Sequence, residues 1–222
     1  MKNIVLLIAM ITCGISSAQM TKNLGDFDRV SVFDRISVEL IPSGENKIEV
    51  TGKRSNEVEV VNRNGELKIR MKLEKLLDGE DIQAKIYFSS ITAIEANEGS
   101  FISSARTFSQ TSIDLNAKEG AQIKIDLNVS KANVRAVTGG ILKLTGKATN
   151  MDAVLGTGGI LEAKDLLTTQ SKVNIKAGGE AEVNASELVD ADIKAGGNVR
   201  IYGSPKQINK NTALGGTITE ER

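Results

Sequence analysis

Residues 138–144 read TGGILKL and residues 157–163 read TGGILEA, so a seven-residue unit recurs 19 positions later. Five further segments align with this pair: EGSFISS (98–104), EGAQIKI (119–125), AGGEAEV (177–183), AGGNVRI (195–201) and LGGTITE (214–220). Their leading glycines follow at steps of 21, 19, 19, 20, 18 and 19 residues: Gly99, Gly120, Gly139, Gly158, Gly178, Gly196 and Gly215. A step this narrow indicates an internal structural repeat.

Apolar and polar residues alternate on both sides of each leading glycine. The apolar positions after it are Ile123 and Ile125, Leu142 and Leu144, Leu161 and Ala163, Ala181 and Val183, Val199 and Ile201. Those before it are Leu115 and Ala117, Val134 and Ala136, Ala153 and Leu155, Val173 and Ile175, Ala191 and Ile193. A period of two predicts two short strands per unit, each with one buried face.

The position after the leading glycine is always small: Ser100, Ala121, Gly140, Gly159, Gly179, Gly197 and Gly216. Glycine reaches positive φ without steric cost and lets neighbouring chains approach closely. We therefore predict a tight corner in every unit, at which successive turns of chain stack on each other.

A unit of this length is too short for a βαβ crossover of about 30 residues or a propeller blade of about 40. The sequence therefore predicts an all-β fold, a right-handed parallel β-helix (solenoid). About seven coils of 18–21 residues would occupy residues 91–222. A β-sandwich is the alternative, but it does not require the same small pair at the same place in each repeat.

Residues 19–90 lack the glycine corner but alternate in hydrophobicity between turn signals such as Pro42-Ser43-Gly44. We interpret them as antiparallel or irregular strands that cap the N-terminal end of the coils within one domain, 19–222. A separate second domain is the alternative.

Residues 1–18 have the features of a cleaved signal peptide, with Lys2, the apolar run Ile4 to Ile11, and a small-residue site ending at Ala18. The run is shorter than the roughly 20 residues of a membrane span. We therefore predict export to the periplasm or the outer-membrane surface, with a mature chain that starts at Gln19. Lipid attachment at Cys13, the only cysteine, is the alternative.

The composition excludes several functions. The 28 basic and 28 acidic residues balance, which argues against a nucleic-acid partner. The chain has no His and no Trp, so the commonest general base and metal ligand is absent, as is the best stacking side chain. We predict no cofactor and no metal site.

Two acidic groups are the candidates for enzymatic chemistry: Asp190 and Asp192 with Lys194, or Glu180 and Glu182. Acidic residues at alternate positions are also expected on the solvent-exposed face of a half-buried strand. We therefore predict no catalytic residues and no enzyme, with calcium between Asp190 and Asp192 as an alternative.

Two rows of outward side chains follow from stacking the repeats. One reads Lys124, Lys143, Glu162, Glu182 and Arg200. Stacked about 4.8 Å apart, it predicts opposite-charge pairs Lys143–Glu162 and Glu182–Arg200. The other row contains Ile141 and Ile160 side by side, which predicts an apolar contact patch, with burial under the terminal strands as the alternative.

The recurring corners, together with the opening FDRVSVFDRISVELIPSGENKIEVTG and the run VRIYGSPKQINKNTALGGTI, resemble the bacterial family named "putative auto-transporter adhesin, head GIN domain". The resemblance implies a β-helical envelope or surface protein with no established enzymatic activity, and it brings no site residues with it.

Three functional hypotheses remain. The first is a non-catalytic adhesin or binding scaffold that presents flat β-faces to a surface glycan or an envelope protein. The second is a structural element that self-associates into a homo-oligomer. The third and most distant is a β-helix enzyme that acts on a polysaccharide.

Overall fold

The computed structural model describes residues 19–221, so the predicted leader, with Cys13, lies outside the described residues. The N-terminal strands are β1 (Gln19–Asn23), β2 (Arg29–Val32), β3 (Ser37–Pro42), β4 (Lys47–Thr51), β5 (Val58–Arg63), β6 (Glu66–Met71) and β7 (Gln83–Phe88). Two 3₁₀ turns interrupt them, at Ser55–Glu57 and Leu73–Lys75. Between residues 19 and 221 there is no α-helix.

The remaining strands form a solenoid of about seven turns, as predicted. They are β8 (Ala93–Ala96), β9 (Phe101–Ser104), β10 (Phe108–Lys118), β11 (Gln122–Val137), β12 (Ile141–Gly156), β13 (Ile160–Ile175), β14 (Gly179–Ala195), β15 (Gly197–Tyr202), β16 (Gln207–Leu214) and β17 (Thr217–Glu220). Every pairing among these strands is parallel.

The long strands β11 to β14 each contribute to two faces of the solenoid. The residues that precede each corner form the pre-corner face, for example Asn133–Ala136 beside Asp152–Leu155. The residues that follow each corner form the post-corner face, for example Ile141–Lys143 beside Ile160–Glu162. A chain that winds in register stacks equivalent repeat positions on each face.

The leading glycines lie in one column and are linked by backbone hydrogen bonds. Gly99 N donates to Glu119 O at 2.9 Å, Gly120 N to Thr138 O at 3.1 Å, and Gly139 N to Thr157 O at 3.1 Å. Gly178 N and Gly196 N continue the column, with bonds to Ala195 O at 3.0 Å and Leu214 O at 3.1 Å. The corners are therefore a hydrogen-bonded stack along one edge of the molecule.

The two glycines of a corner are required for different reasons, as Gly158 and Gly159 show. Gly158 has φ +73°, and a Cβ placed on it would contact nothing within 4 Å. A Cβ on Gly159 would overlap the carbonyl oxygen of Ala136, one coil back. The first position requires glycine because its φ is positive. The second requires glycine because a side chain there would collide with the neighbouring coil.

The interior is a continuous apolar core. All of the predicted inward residues of the coils are buried, from Ile123 and Ile125 to Val199 and Ile201. The core also includes N-terminal residues such as Val32, Leu40 and Ile69, so it extends through both parts of the chain.

The N-terminal strands combine antiparallel and parallel pairing. The predicted antiparallel pairing occurs for β1 with β4, β4 with β7, and β5 with β6. In addition, β2 pairs parallel with β6 and β8, while β3 pairs parallel with β7 and β9. The β2–β3 segment is thus a coil inserted between β6–β7 and β8–β9. This non-sequential order was not predicted.

Asp34 and Arg35 form the corner of the inserted coil without glycine. Their φ angles are 58° and 61°, and Arg35 N donates to Glu98 O at 2.9 Å, which joins them to the corner column. The Asp34 carboxylate is buried and accepts two backbone hydrogen bonds, from Met71 N at 2.9 Å and from Leu77 N at 2.8 Å. Asp34 therefore holds the segment between β6 and β7 in place.

Glu98, at the corner above Asp34, provides a test of the electrostatics of this column. Partial burial raises the pKa of the Glu98 carboxyl, and the negative charge of Asp34 adds to the effect. A carboxyl that binds its proton more tightly in the folded chain makes folding less favourable as pH rises through its titration range. We expect Glu98→Gln to increase the free energy of unfolding at neutral pH.

The gain should shrink as the pH falls through the raised titration range of the Glu98 carboxyl, where the wild-type side chain also becomes protonated. Urea unfolding of both proteins across this range measures it. Glu119→Gln, at the equivalent exposed corner position one coil on, is the control and should change stability less. A destabilised Glu98→Gln protein at neutral pH would refute the electrostatic explanation.

The C-terminal coil ends in an inward ion pair. Lys210 is in register with buried Ala191, and Glu220 with buried Ile201, so both occupy core-facing register positions, but in this last coil both side chains are exposed. Lys210 Nζ lies 2.7 Å from Glu220 Oε1. Inward-pointing charge at a sheet edge discourages another strand from adding there.

Candidate binding groove on the post-corner face

The predicted outward rows are in register on the post-corner face. Lys143 is paired with Glu162 across neighbouring coils, with Nζ and Oε2 3.0 Å apart. Arg200 is paired with Glu182, with Nη1 and Oε1 2.8 Å apart. Both ion pairs expected from the repeat are therefore present. Exposed pairs of this kind each contribute about 0–1 kcal/mol, so they order the face more than they stabilise it.

The two isoleucines of the second row lie next to each other. Ile141 and Ile160 are neighbours in register, and each side chain is half-buried. The row continues from Ile160 to Glu180 and then Asn198. The apolar pair therefore borders a polar surface on the next two coils.

A groove of about 360 Å³ lies between the two rows, over β13, β14 and β15. Strand residues Leu161 and Ala181 form its floor, with their side chains buried in the core. Its rims are formed by Ile160, Glu162, Glu180, Glu182, Asn198 and Arg200. The groove is bounded by one apolar side chain and five polar ones.

The polar groups of the groove fall into two kinds. Glu182 hydrogen-bonds Arg200 and raises the pKa of its guanidinium above the usual value. Glu180 and Asn198 are exposed, and in the part of the chain described neither side chain has a hydrogen-bond or ion-pair partner. The Glu180 and Asn198 side chains are therefore available to bind a ligand, whereas Glu182 and Arg200 are already paired with each other.

The acidic groups considered for catalysis do not converge. Glu180 and Glu182 pair with β15 on the post-corner face, whereas Asp190 and Asp192 pair with β16 on the pre-corner face. Asp190 lies 3.9 Å from Lys172 Nζ, and Asp192 accepts a hydrogen bond from Asn211 at 3.1 Å. Lys194 is exposed on the same strand. Over residues 19–221, no cluster of three or more His, Cys, Asp or Glu residues could hold a metal ion.

A larger groove, of about 690 Å³, was not found from the sequence. It lies where the coils bend a second time, and its lining includes Asn128, Lys147, Leu167, Asn184 and Ser186. Leu167 is 52% exposed. The bend residues do not repeat from coil to coil, so no periodic signal marked this groove.

No helix within residues 19–221 is both long enough and apolar enough to cross a membrane.

The stacked corners, the shared core and the flat outer faces define the class of this protein as a capped parallel β-solenoid. Residues 26–205 match the family model described as "Putative auto-transporter adhesin, head GIN domain". Since the match covers most of the chain, the protein belongs to this family, and the resemblance found from the sequence is confirmed. No curated protein matches the chain.

Solved bacterial structures share the fold. A "putative adhesin" from Bacteroides fragilis NCTC 9343 is 18% identical with a TM-score of 0.85, over 94% of this chain and 98% of that one. One from Parabacteroides distasonis ATCC 8503 is 19% identical with a TM-score of 0.75, over 92% and 96%. One from Parabacteroides merdae ATCC 43184 is 16% identical with a TM-score of 0.73, over 94% and 98%. At these identities the likeness establishes the fold alone.

Proposed function

We propose that the protein is a non-catalytic, exported binding module whose post-corner face holds a glycan of the cell surface. The main support for the proposal is the groove, in which the exposed Glu180 and Asn198 side chains lie beside Ile160. Sugar hydroxyls both donate and accept hydrogen bonds, and a carboxylate next to an amide supplies both complements. The Ile160 side chain offers an apolar surface to the C–H face of a sugar ring.

The rigidity of the scaffold supports this function. The groove residues stand on central strands that are paired on both sides, so their backbones are fixed before a ligand arrives. Binding to a preorganised surface avoids much of the entropy cost of ordering side chains and loops. The name of the family and of its structural relatives supports an adhesive role of this kind.

Self-association, the second hypothesis, receives less support from the ends of the solenoid. The antiparallel strands β1, β4 and β5 lie beyond the coils at one end. At the other end, the inward Lys210–Glu220 pair opposes the addition of a further coil. We infer that the rods do not extend by stacking end to end.

Glycan-array binding of the chain from Gln19 to Arg222 tests the proposal. We expect binding to a defined set of surface glycans, and we expect Glu180→Ala with Asn198→Ala to weaken it roughly tenfold or more, because bound hydroxyls lose their partners. Gln170→Ala removes an exposed amide from the pre-corner face and should leave binding unchanged.

Three results would reject the proposal. Glycan binding that survives the double substitution would place the site elsewhere, with the groove near Leu167 as the next candidate. Particles that grow with protein concentration in light scattering, without glycan binding, would favour the self-associating element. Turnover of a polysaccharide that is lost with Asp192→Ala would favour the enzyme.

A further inference from the structure

The segment between β6 and β7 presents three leucines to solvent. Leu73 is 80% exposed, Leu76 51% and Leu77 44%. They fall within five consecutive residues, 73–77, which we call the leucine loop. Exposed apolar residues are ordinary when scattered singly, whereas a cluster on one short loop marks a contact surface.

The leucine loop is held in an unfavourable backbone conformation. Leu77 has φ 65°, a region that bulky side chains rarely adopt. Its N–H is fixed by the buried Asp34 carboxylate at 2.8 Å, and the loop turns at its start through Lys75 N to Lys72 O at 2.7 Å. Strain that the surrounding structure maintains points to a role for the conformation. Here the strained conformation keeps Leu77 at the surface.

The leucine loop lies at the end of the molecule where the chain enters the fold. Gln19, the first described residue, is in register with Thr51. The next turn of chain carries Arg54, whose Nη1 is 2.8 Å from Asp78 Oδ2 beside the leucine loop. The leucine loop and β1 therefore lie at the same end of the solenoid.

The exposed area is small for a protein partner. The three leucines offer on the order of 300 Å² of apolar surface, against about 800 Å² for each partner of a specific protein interface. A fluid lipid surface accepts exposed apolar side chains without having to match their shape. Nearby charges cancel: Asp78 and Glu80, which follow the leucine loop, pair with Arg54 and Arg35, and Lys72 and Lys75 balance Glu74 and Asp81.

We propose that the leucine loop inserts into a lipid bilayer and turns the N-terminal end of the solenoid toward the membrane. The groove of the post-corner face stays outside the lipid and is not required for this contact. Because the charges balance, the attraction is apolar, and it should be insensitive to salt and detectable on zwitterionic lipid.

Flotation with phosphatidylcholine vesicles tests the inference, with the chain from Gln19 to Arg222. This chain retains the entire core, which begins at Leu24. We expect the wild type to float with the vesicles, and Leu73→Ser with Leu76→Ser to lower the partition coefficient roughly tenfold or more. Leu214→Ser is the matched control, since Leu214 is 78% exposed on β16 in the final coil and should not affect flotation.

Absence of wild-type flotation would overturn the inference, as would equal flotation of the double variant. An equal loss with Leu214→Ser would show nonspecific adhesion and also overturn it. If the double variant instead converts a dimer to a monomer in light scattering without lipid, a second copy of the chain is the occupant. Loss of flotation with intact glycan binding would separate this contact from the proposed function.

Discussion

Gly159→Val is expected to unfold the solenoid or to lower its free energy of unfolding by about 2 kcal/mol or more. Even the first added atom, Cβ, would overlap the Ala136 carbonyl oxygen of the preceding coil. That carbonyl belongs to a strand paired on both sides, so it cannot move without breaking backbone hydrogen bonds. Urea unfolding followed by circular dichroism measures the loss.

Lys164→Val is the control for Gly159→Val. It introduces the same side chain five residues later, at an exposed position of β13. Surface changes of this kind usually alter stability by no more than about 0.5 kcal/mol. If Gly159→Val and Lys164→Val are both as stable as the wild type, the corners do not hold the coils in place.

Asp34→Ala is expected to lower the free energy of unfolding by about 3 kcal/mol. The substitution leaves the backbone N–H groups of Met71 and Leu77 without their acceptors. An orphaned buried donor such as the Met71 N–H costs about 1–3 kcal/mol, and the partly buried Leu77 N–H costs less. Alanine is also less tolerant than aspartate of the φ of 58° at this position. Chemical denaturation of the variant and the wild type measures the difference.

Asp34→Asn separates the two contributions. Asparagine tolerates positive φ and keeps one acceptor oxygen, so we expect roughly half of the alanine effect. An Asp34→Ala protein as stable as the wild type would mean that Asp34 does not anchor the segment between β6 and β7.

The coil region could be predicted because a parallel stack converts sequence offsets into contacts. With a step near 19 residues, Lys143 must meet Glu162 and Glu182 must meet Arg200, and both pairs form. The alternation likewise fixes which side chains are buried. The family resemblance, found from the same corners, agrees with the match over residues 26–205.

The N-terminal order could not be predicted from hydrophobic alternation. Inserting the β2–β3 segment between β6–β7 and β8–β9 buries the same alternate residues that a sequential order would bury. Its corner, Asp34-Arg35, has no glycine and depends on distant backbone contacts. Thr138 and Thr157 also adopt a positive φ near 50°, which β-branched residues disfavour, so nothing in the sequence indicated it.

The candidate groove was only partly predictable. Repeat positions placed Ile141 beside Ile160, but not the opening that Glu180 and Asn198 border. Differences in coil length are accommodated at the second bend, where the strand pairing is irregular, as between Ala163 and Leu167 on β13. Its residues therefore share no pattern, and the groove that they form is visible only in three dimensions.

The difference in unfolding free energy between Gly158→Ala and Gly159→Ala tests the stacked corner most directly. A methyl group on Gly158 enters open space and carries only the conformational cost of positive φ, about 1 kcal/mol. The same methyl on Gly159 must displace a neighbouring coil and should cost about 2 kcal/mol or more. Equal losses for the two variants would show that the coils do not approach each other at the second glycine, which would contradict the account of the fold.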